Sequence, residues 1–417
     1  MTDVDADSVR KDVLAWLDEH WDPELSLMEW REVLVDSGWG KPAWPLPWFG
    51  RGLPGSLEST VRDAFHEIGA VGVAPGSGAA LVGPTILEHG SDEMKGRLLR
   101  PLLTGEHLWC QLFSEPDAGS DLAALTTRAE RDGDGWVVNG QKVWNSGAHH
   151  AQYGMLLART NVDVPKHAGI TYFALDMDQP GVEVRPLVQM NGYSSFNEVF
   201  LENVRVSEAD VIGRVGGGWS VAMTTLAHER RPAPKWAPRK QLAHGRCVDE
   251  ARAETTEALS PYTWYRNRSG RVDLAIPLAR ELGRTDDPTV RQEIARLLTL
   301  EQCVRWTAER ARESRALGRA PGPESSLNKL YASTVARTAA RVHSLIAGPH
   351  ATLSGPDAVF RGDIAEILVS VPGISIAGGT DEIQHNIIGE RVLGLPKEPE
   401  HDRDVTFREA LRSRAPQ

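Results

Sequence analysis

"LWCQLFSEPDAGSDL" occupies residues 108–122. An apolar run ends there in a hydroxyl, a proline turn and a Gly-Ser pair. Downstream, residues 136–147 read "WVVNGQKVWNSG", a strand-like run with Trp144 near its end. The end of the first run offers Ser114 backbone and hydroxyl groups to the edge of a planar heterocycle. The Ala118-Gly119-Ser120 turn can aim successive N–H groups at a phosphate, because Gly permits close backbone approach. Trp144 offers a flat apolar face for stacking, and Ser146 adds a donor. Together these residues suit one large planar, phosphorylated cofactor. The plainer alternative stands beside it: a Ser-Glu-Pro turn is usually only a turn, and a strand Trp is usually core.

The surroundings divide into three regions. Residues 1–106 carry helical patterns. "SVRKDVLAWLDEHW" puts Val9, Val13, Leu14 and Leu17 on one stripe, and "ELSLMEWREVLVDSGW" and "STVRDAFHEIG" repeat the pattern, each ending near a Gly. "GWGKPAWPLPWFGRGLPG" reads as a connection between them. Residues 107–214 change to short strand-like runs, namely "WVVNGQKVW", "YGMLLART", "AGITYFALDM", "VEVRPLVQM" and "NEVFLENVRV". Turn residues such as "DGDG" and "NG" punctuate them, which suggests a small barrel or sandwich. From 215 to 417 the helical period returns. Val290, Ile294, Leu297, Leu298, Val304 and Ala311 form one stripe. Leu327, Leu330, Val335, Val342, Leu345 and Ile346 form another, as in the long antiparallel helices of a bundle. Residues 232–275, with "PYTWYRNRSG", read as irregular.

Composition narrows the function. The net charge of −11, with no basic block, argues against nucleic acid. The locally basic "ERRPAPKWAPRK" at 229–240 reads as a surface connection that could meet a phosphate-bearing ligand. Cys110, Cys247 and Cys303 lie far apart and form no disulfide or zinc pattern, as expected for a reducing cytoplasm. His149 and His150 read as loop residues rather than metal ligands, since no third ligand stands at metal spacing. The acidic N-terminus has no apolar signal-peptide core, and no run is long enough to span a membrane. Nucleotide-binding, P-loop, esterase and zinc-protease fingerprints are absent.

Four segments resemble the acyl-CoA dehydrogenases: "LWCQLFSEPDAGSDL", "WVVNGQKVWNSG", "GGGWSVAMTTLAHERR" and "SIAGGTDEIQHNIIGERVLGLP". They occur in that family's order and at about its spacing, across the whole chain. The resemblance implies an α+β fold with an N-terminal all-α domain, a middle β-barrel and a C-terminal four-helix bundle. It implies FAD bound between barrel and bundle, an acyl-CoA substrate, and an electron-transferring flavoprotein as acceptor. Assembly would be a homotetramer or a heterotetramer with a related subunit. By the same resemblance, Gln111, Phe113 and Ser114 belong to the flavin-binding strand, with Ser114 at the ring edge. Gly119 and Ser120 would lie near the pyrophosphate or the CoA portion of the substrate. Trp144, Asn145 and Ser146 would flank the ring, and Thr380, Asp381 and Glu382 match a late FAD contact.

The implied reaction is α,β-dehydrogenation of the thioester. A carboxylate takes the α-proton while the β-hydrogen leaves as hydride. In many relatives that Glu directly precedes the Gly-Thr of "AGGTDEIQ", but here the position is Gly378, beside Gly379. Both glycines would then border the substrate. Other relatives carry the base on the first helix of the C-terminal domain. Here Ala222, Leu226 and Glu229 share one face of that helix, which makes Glu229 the candidate base. The plain alternative is an exposed Glu paired with a neighbouring Arg. Arg230 matches a family Arg near the substrate entrance, and His228 is a weaker candidate.

Two departures stand out. An Arg-x-x-Phe-Gly segment that normally reaches FAD across a subunit boundary is replaced by "ARELGRTDDPTVRQ", leaving Arg280, Arg284 or Gln292 as substitutes. Ser344 replaces a Gln. These departures leave two other readings open. One is a structural or half-site partner subunit of a heteromeric dehydrogenase. The other is a flavin monooxygenase or oxidase on the same fold.

Overall fold

The computed structural model describes residues 5–229, 244–316, 324–399, 402 and 404–414. The chain divides into two compact units. One comprises residues 1–187, 194–260 and 401–417, the other 188–193 and 261–400.

The first unit begins with α1 (Ala6–His20), α2 (Leu27–Ser37), α3 (Glu58–Ile68), α4 (Gly83–His89) and α5 (Asp92–Thr104). Ser26 and Glu29 cap α2 reciprocally, which satisfies two backbone donors that a helix start leaves open. Val9, Val13 and Leu17 of α1 are buried, as the stripe predicts, together with Trp30 and Leu34 of α2.

Seven strands follow: β1 (Trp109–Leu112), β2 (Arg128–Asp132), β3 (Gly135–Ser146), β4 (Tyr153–Arg159), β5 (Ile170–Asp176), β6 (Val182–Leu187) and β7 (Phe196–Ser207). They form one curled sheet in the order β1-β4-β2-β3-β7-β6, with β5 paired to the other side of β4. β1 and β2 run parallel to β4, and the other pairs are antiparallel. β4 and β5 are apolar on both faces because both are covered. Met155, Leu157 and Tyr172 face the α-helical core, while Leu156, Ala158 and Phe173 face the interior of the sheet. "DGDG" makes the β2–β3 turn. Asn139-Gly140 instead falls within β3, opposite a bulge of β7, while Asn191-Gly192 lies between β6 and β7.

Two further helices pack on this unit. α6 (Gly218–Glu229) buries Val221, Ala222 and Thr225. Thr225 Oγ1 lies 2.9 Å from Thr85 Oγ1 and 3.1 Å from the Tyr172 hydroxyl, a buried hydroxyl cluster that fixes the helix. α7 (Arg246–Leu259) corrects the reading of 232–275 as irregular throughout. Its Glu254 receives two bonds from the buried Arg31 of α2, at 2.8 and 2.5 Å. The apolar face of α7 is narrow, mainly Cys247, Val248 and Ala251, so its period is weak in the sequence.

The second unit contains α8 (Tyr265–Arg268), α9 (Ala275–Glu281), α10 (Pro288–Ala316), α11 (Glu324–Ala347), α12 (Asp363–Ser370) and α13 (Asp381–Arg391). Arg341 near the end of α11 pairs with Glu293 near the start of α10 at 2.6 Å, so the two long helices are antiparallel. Val290, Leu297, Val335, Val342 and Ile346 form their core. Leu298 and Leu345 are 38% and 36% exposed and lie off the stripes, each one residue, about 100° of helix, beside a buried neighbour.

The last helix, α14 (Phe407–Arg414), returns to the first unit. Phe407 N and Arg408 N donate to Val164 O and Val162 O, each at 2.9 Å. Arg408 also pairs with Asp163 at 2.7 Å. The Phe407 ring covers the Arg159 guanidinium, with Cζ 3.4 Å from the ring centroid. Lys166 pairs with Asp402 at 3.1 Å and with Asp121 at 3.2 Å.

Candidate functional site

Within the first unit, the end of β1 and the end of β3 lie side by side. Asn145 Nδ2 donates to Gln111 O at 2.7 Å, and Val143 N donates to Ser114 O at 2.9 Å. Phe113 is buried edge-on against Tyr172, with centroids 5.7 Å apart. The turn that follows closes on itself through Glu115 and Ala118, at 3.0 and 3.1 Å, and leaves Gly119 and Ser120 exposed. Ser146 is exposed as well. The structure therefore brings together Gln111, Phe113, Ser114 and Asn145 in direct contact with one another or through β3, with Trp144 and Ser146 on the same strand end.

Trp144 is not core. It is 55% exposed and meets only the edge of Phe196 among the described rings, at 5.7 Å. A regular strand would put residues 142 and 144 on one face. Here a bulge between Lys142 and Asn145 interrupts the β3–β7 register, and Trp144 takes a left-handed φ of 64°. Lys142 is therefore fully buried while Trp144 points out. Such a backbone costs roughly 1–3 kcal/mol in a non-Gly residue and gathers at functional sites.

Beneath this surface lies an ion pair that the sequence reading did not single out. Lys142 Nζ donates to Glu115 Oε1 at 2.8 Å and to Phe113 O at 3.1 Å. Glu115 also accepts from Thr126 N, Thr126 Oγ1 and Thr127 N, at 2.6, 2.8 and 2.9 Å. A signal was present. Trp136 and Val138 are buried in β3, and Lys142 has the same parity, so a cation in an apolar register called for a buried partner. Asn197 was missed too; its Nδ2 donates to Asn145 O at 2.9 Å.

Burial alone would raise the Glu115 carboxyl, but Lys142 and the two threonines reverse this and hold it down to about 2. Burial pulls Lys142 below its ordinary value, against the attraction of Glu115. Burial also brings Arg159 down to about 10, while its guanidinium donates to Ala123 O, Leu125 O and Lys166 O. A carboxyl depressed on folding stabilises the fold above its unfolded value and loses that contribution as pH falls. Stability is therefore expected to fall from about pH 4.5 downward, and less steeply in Glu115→Gln. Denaturant melts at pH 5, 4 and 3 check this, and equal slopes would contradict it.

Glu229 is the last described residue of α6 and is exposed. Ala222 is buried on the face it shares, with Leu226 packed against the core. Arg230 lies outside the described residues, as does the basic run from 230 to 240.

The second unit holds the remaining candidates. Thr380 caps α13, accepting from Ile383 N at 3.2 Å, and Glu382 is exposed on its first turn. Asp381 is buried, paired with Lys329 at 3.1 Å and Arg337 at 3.3 Å. Gly378 and Gly379 have φ of +67° and +85°. A Cβ at 378 would meet nothing within 4 Å, so the constraint on that residue is its backbone, not space. Arg284 bonds Asp287 at 2.7 Å and Ile346 O at 3.4 Å, whereas Arg280 and Gln292 are exposed. Ser344 bonds its own helix, at Ala340 O.

The His149 and His150 rings lie 4.0 Å apart, tilted by 47°, and no metal-binding group of three His, Cys, Asp or Glu occurs among the described residues. No helix among them is long and apolar enough to cross a membrane.

Comparison with known proteins gives a consistent picture. Residues 110–204 match the acyl-CoA dehydrogenase middle domain, and 271–393 the acyl-CoA dehydrogenase C-terminal domain. The chain is 37% identical over 372 residues to the acyl-CoA dehydrogenase FadE34 of Mycobacterium tuberculosis; the match covers 88% of this chain but 46% of that protein. It is 35% identical over 382 residues to the acyl-CoA dehydrogenase IpdE1 of the same organism, covering 88% of each. Among solved structures, the Tcur3481-Tcur3483 steroid ACAD superposes with a TM-score of 0.64 at 25% identity, covering 94% of this chain and 98% of that one. The sequence resemblance is thus confirmed, and the chain belongs to the acyl-CoA dehydrogenase family of FAD-dependent oxidoreductases.

Proposed function

We propose that this chain dehydrogenates the α,β-bond of a bulky acyl-CoA thioester, with Glu229 as the base and the β1–β3 surface holding FAD. The observation that carries the cofactor part is the exposed Trp144, held out on a left-handed backbone beside Ser114 and Ser146. Left-handed backbone of this kind gathers at functional sites, and here it turns an aromatic face outward. The buried Asn145 Oδ1 also lacks a partner among the described residues, although its amide nitrogen is bonded. The residues fit FAD: Trp144 supplies a face, Ser114 and Ser146 supply donors, and Gly119-Ser120 supplies an open turn. Thr380 and Glu382 supply a second contact region by family resemblance. Bound FAD would supply the acceptor for the β-hydride.

The chain's own part is the proton. A thioester α-proton is too weakly acidic for a carboxylate in water, so the base must be desolvated and the carbonyl polarised. Glu229 is exposed, so that desolvation has to come from the bound acyl group itself. Arg230 would stand at the substrate entrance, and Gly378 and Gly379 would leave room for a wide acyl group where some relatives carry a carboxylate. In this reading the domain boundaries fall at 106/107 and 214/215.

A second reading concerns assembly. The name of the Tcur3481-Tcur3483 steroid ACAD joins two components and specifies a steroid. This supports a heterotetramer with a related subunit, and a steroid-like acyl group, for this chain too. The altered Arg-x-x-Phe-Gly region favours it, because a different subunit could supply the missing contact. An electron-transferring flavoprotein would take the electrons in a cytoplasmic setting.

The test is to purify the chain alone and with related subunits encoded beside it. A yellow protein bleached without air by a steroid-bearing CoA thioester is expected. Protein that stays colourless and takes up no FAD in every combination would end the cofactor reading. Bleaching by straight-chain thioesters alone would end the bulky-acyl reading.

A further inference from the structure

We propose that Lys142, clamped by Glu115, is a positioning residue that sets the outward pose of Trp144 and so tunes the grip of this surface on FAD. The inference deepens the cofactor reading above and rests on it.

Cost comes first. A buried ammonium loses its hydration, and an apolar pair of similar volume in place of a buried ion pair is often neutral or stabilising. Lys142 has 0% exposure and Glu115 5%. Stability alone therefore gives little reason for a cation here.

Geometry gives one. Lys142 reaches both Glu115 Oε1 and Phe113 O, so a single ammonium ties β3 to the end of β1 and to the turn after it. Glu115 is itself fixed by Thr126 and Thr127, across the turn. Three residues on, Asn145 ties β3 back to Gln111 O, and Asn197 holds Asn145 O from β7. Trp144 sits between these anchors, at the bulge, with a positive φ. Pinned on both sides, the strand can accommodate its extra residue only by turning residue 144 outward. An apolar residue at 142 would fill the same space but would make no bond to Phe113 O. The bulge could then slide or relax, and Trp144 could fold back toward the parity of a regular strand.

The test uses the full chain, with any partner subunit that wild type needs for FAD uptake present throughout. Lys142→Met strands the Glu115 charge, so the deciding variant is the double Glu115→Gln, Lys142→Met, which removes both charges of the pair while Arg159 keeps Asp121. Three readouts are taken: apoprotein melting temperature, Kd for added FAD, and the absorbance maximum of bound flavin. The double variant is expected to melt within a few degrees of wild type while its Kd for FAD rises at least tenfold and the flavin maximum shifts. Lys142→Arg, which keeps a donor for Phe113 O, is expected to recover part of the affinity. The inference is overturned if the double variant binds FAD within twofold of wild type with an unchanged spectrum. It is equally overturned if its apoprotein melts far lower, because the pair would then be scaffold only. Wild type that binds no FAD would instead remove the underlying cofactor reading, a result distinguishable from both.

Discussion

Glu229→Gln is expected to lower turnover by about 10²-fold or more while leaving the protein folded and yellow. The swap is nearly isosteric, and Glu229 is exposed at the end of α6. Surface changes of that kind shift stability by about 0.5 kcal/mol or less. The helix itself is held elsewhere, by buried Val221, Ala222 and the Thr225 hydroxyl cluster. Any large loss must therefore come from chemistry and not from a displaced helix. Reduction of the flavin in single turnover isolates the step, since it excludes product release and reoxidation. Wild-type rates of reduction with a good substrate would rule out Glu229 as the base.

Trp144→Ala should weaken FAD binding by about 10- to 100-fold, taking aromatic stacking on a planar ring as worth about 1–3 kcal/mol. Its apoprotein should keep its melting temperature to within a few degrees, because the ring is more than half exposed and buries little area. A companion substitution separates strain from stacking. Gly at 144 accepts a φ of 64° without penalty, whereas Ala does not. Trp144→Gly apoprotein should accordingly be about 1 kcal/mol more stable than Trp144→Ala, with FAD binding equally poor. A destabilised apoprotein with unchanged FAD affinity would return Trp144 to the role of an ordinary packing residue.

What the sequence could reveal followed the range of its signals. Helix periodicity is local, so α1 to α3 and the stripes of α10 and α11 were legible from their spacing, apart from Leu298 and Leu345 at the margins. β4 and β5 were legible because both faces are covered, which yields unbroken apolar runs. β2 was not, since "RAERD" buries only Ala129 and is made a strand by its partner β3. The site divides the same way. Ser114, Gly119 and Trp144 announce themselves by residue type. The bulge that turns Trp144 outward depends on the pairing of β3 with β7, which no local pattern encodes. The Glu115–Lys142 pair spans 27 residues: the parity of Lys142 signals burial, but nothing local names Glu115 as its partner.

The return of α14 to the loop at 160–169 has a consequence for synthesis. Arg408 and Asp163 are separated by 245 positions, so the loop is made long before the helix that latches it. At 5–20 residues per second, that gap amounts to roughly 12–50 s of elongation. Through that interval the ribosome is producing the whole of the second unit, residues 188–193 and 261–400, between parts of the first. Arg159 meanwhile lacks its aromatic cover, and Lys166 lacks Asp402. The sheet is therefore fully synthesised well before the helix that latches its 160–169 loop.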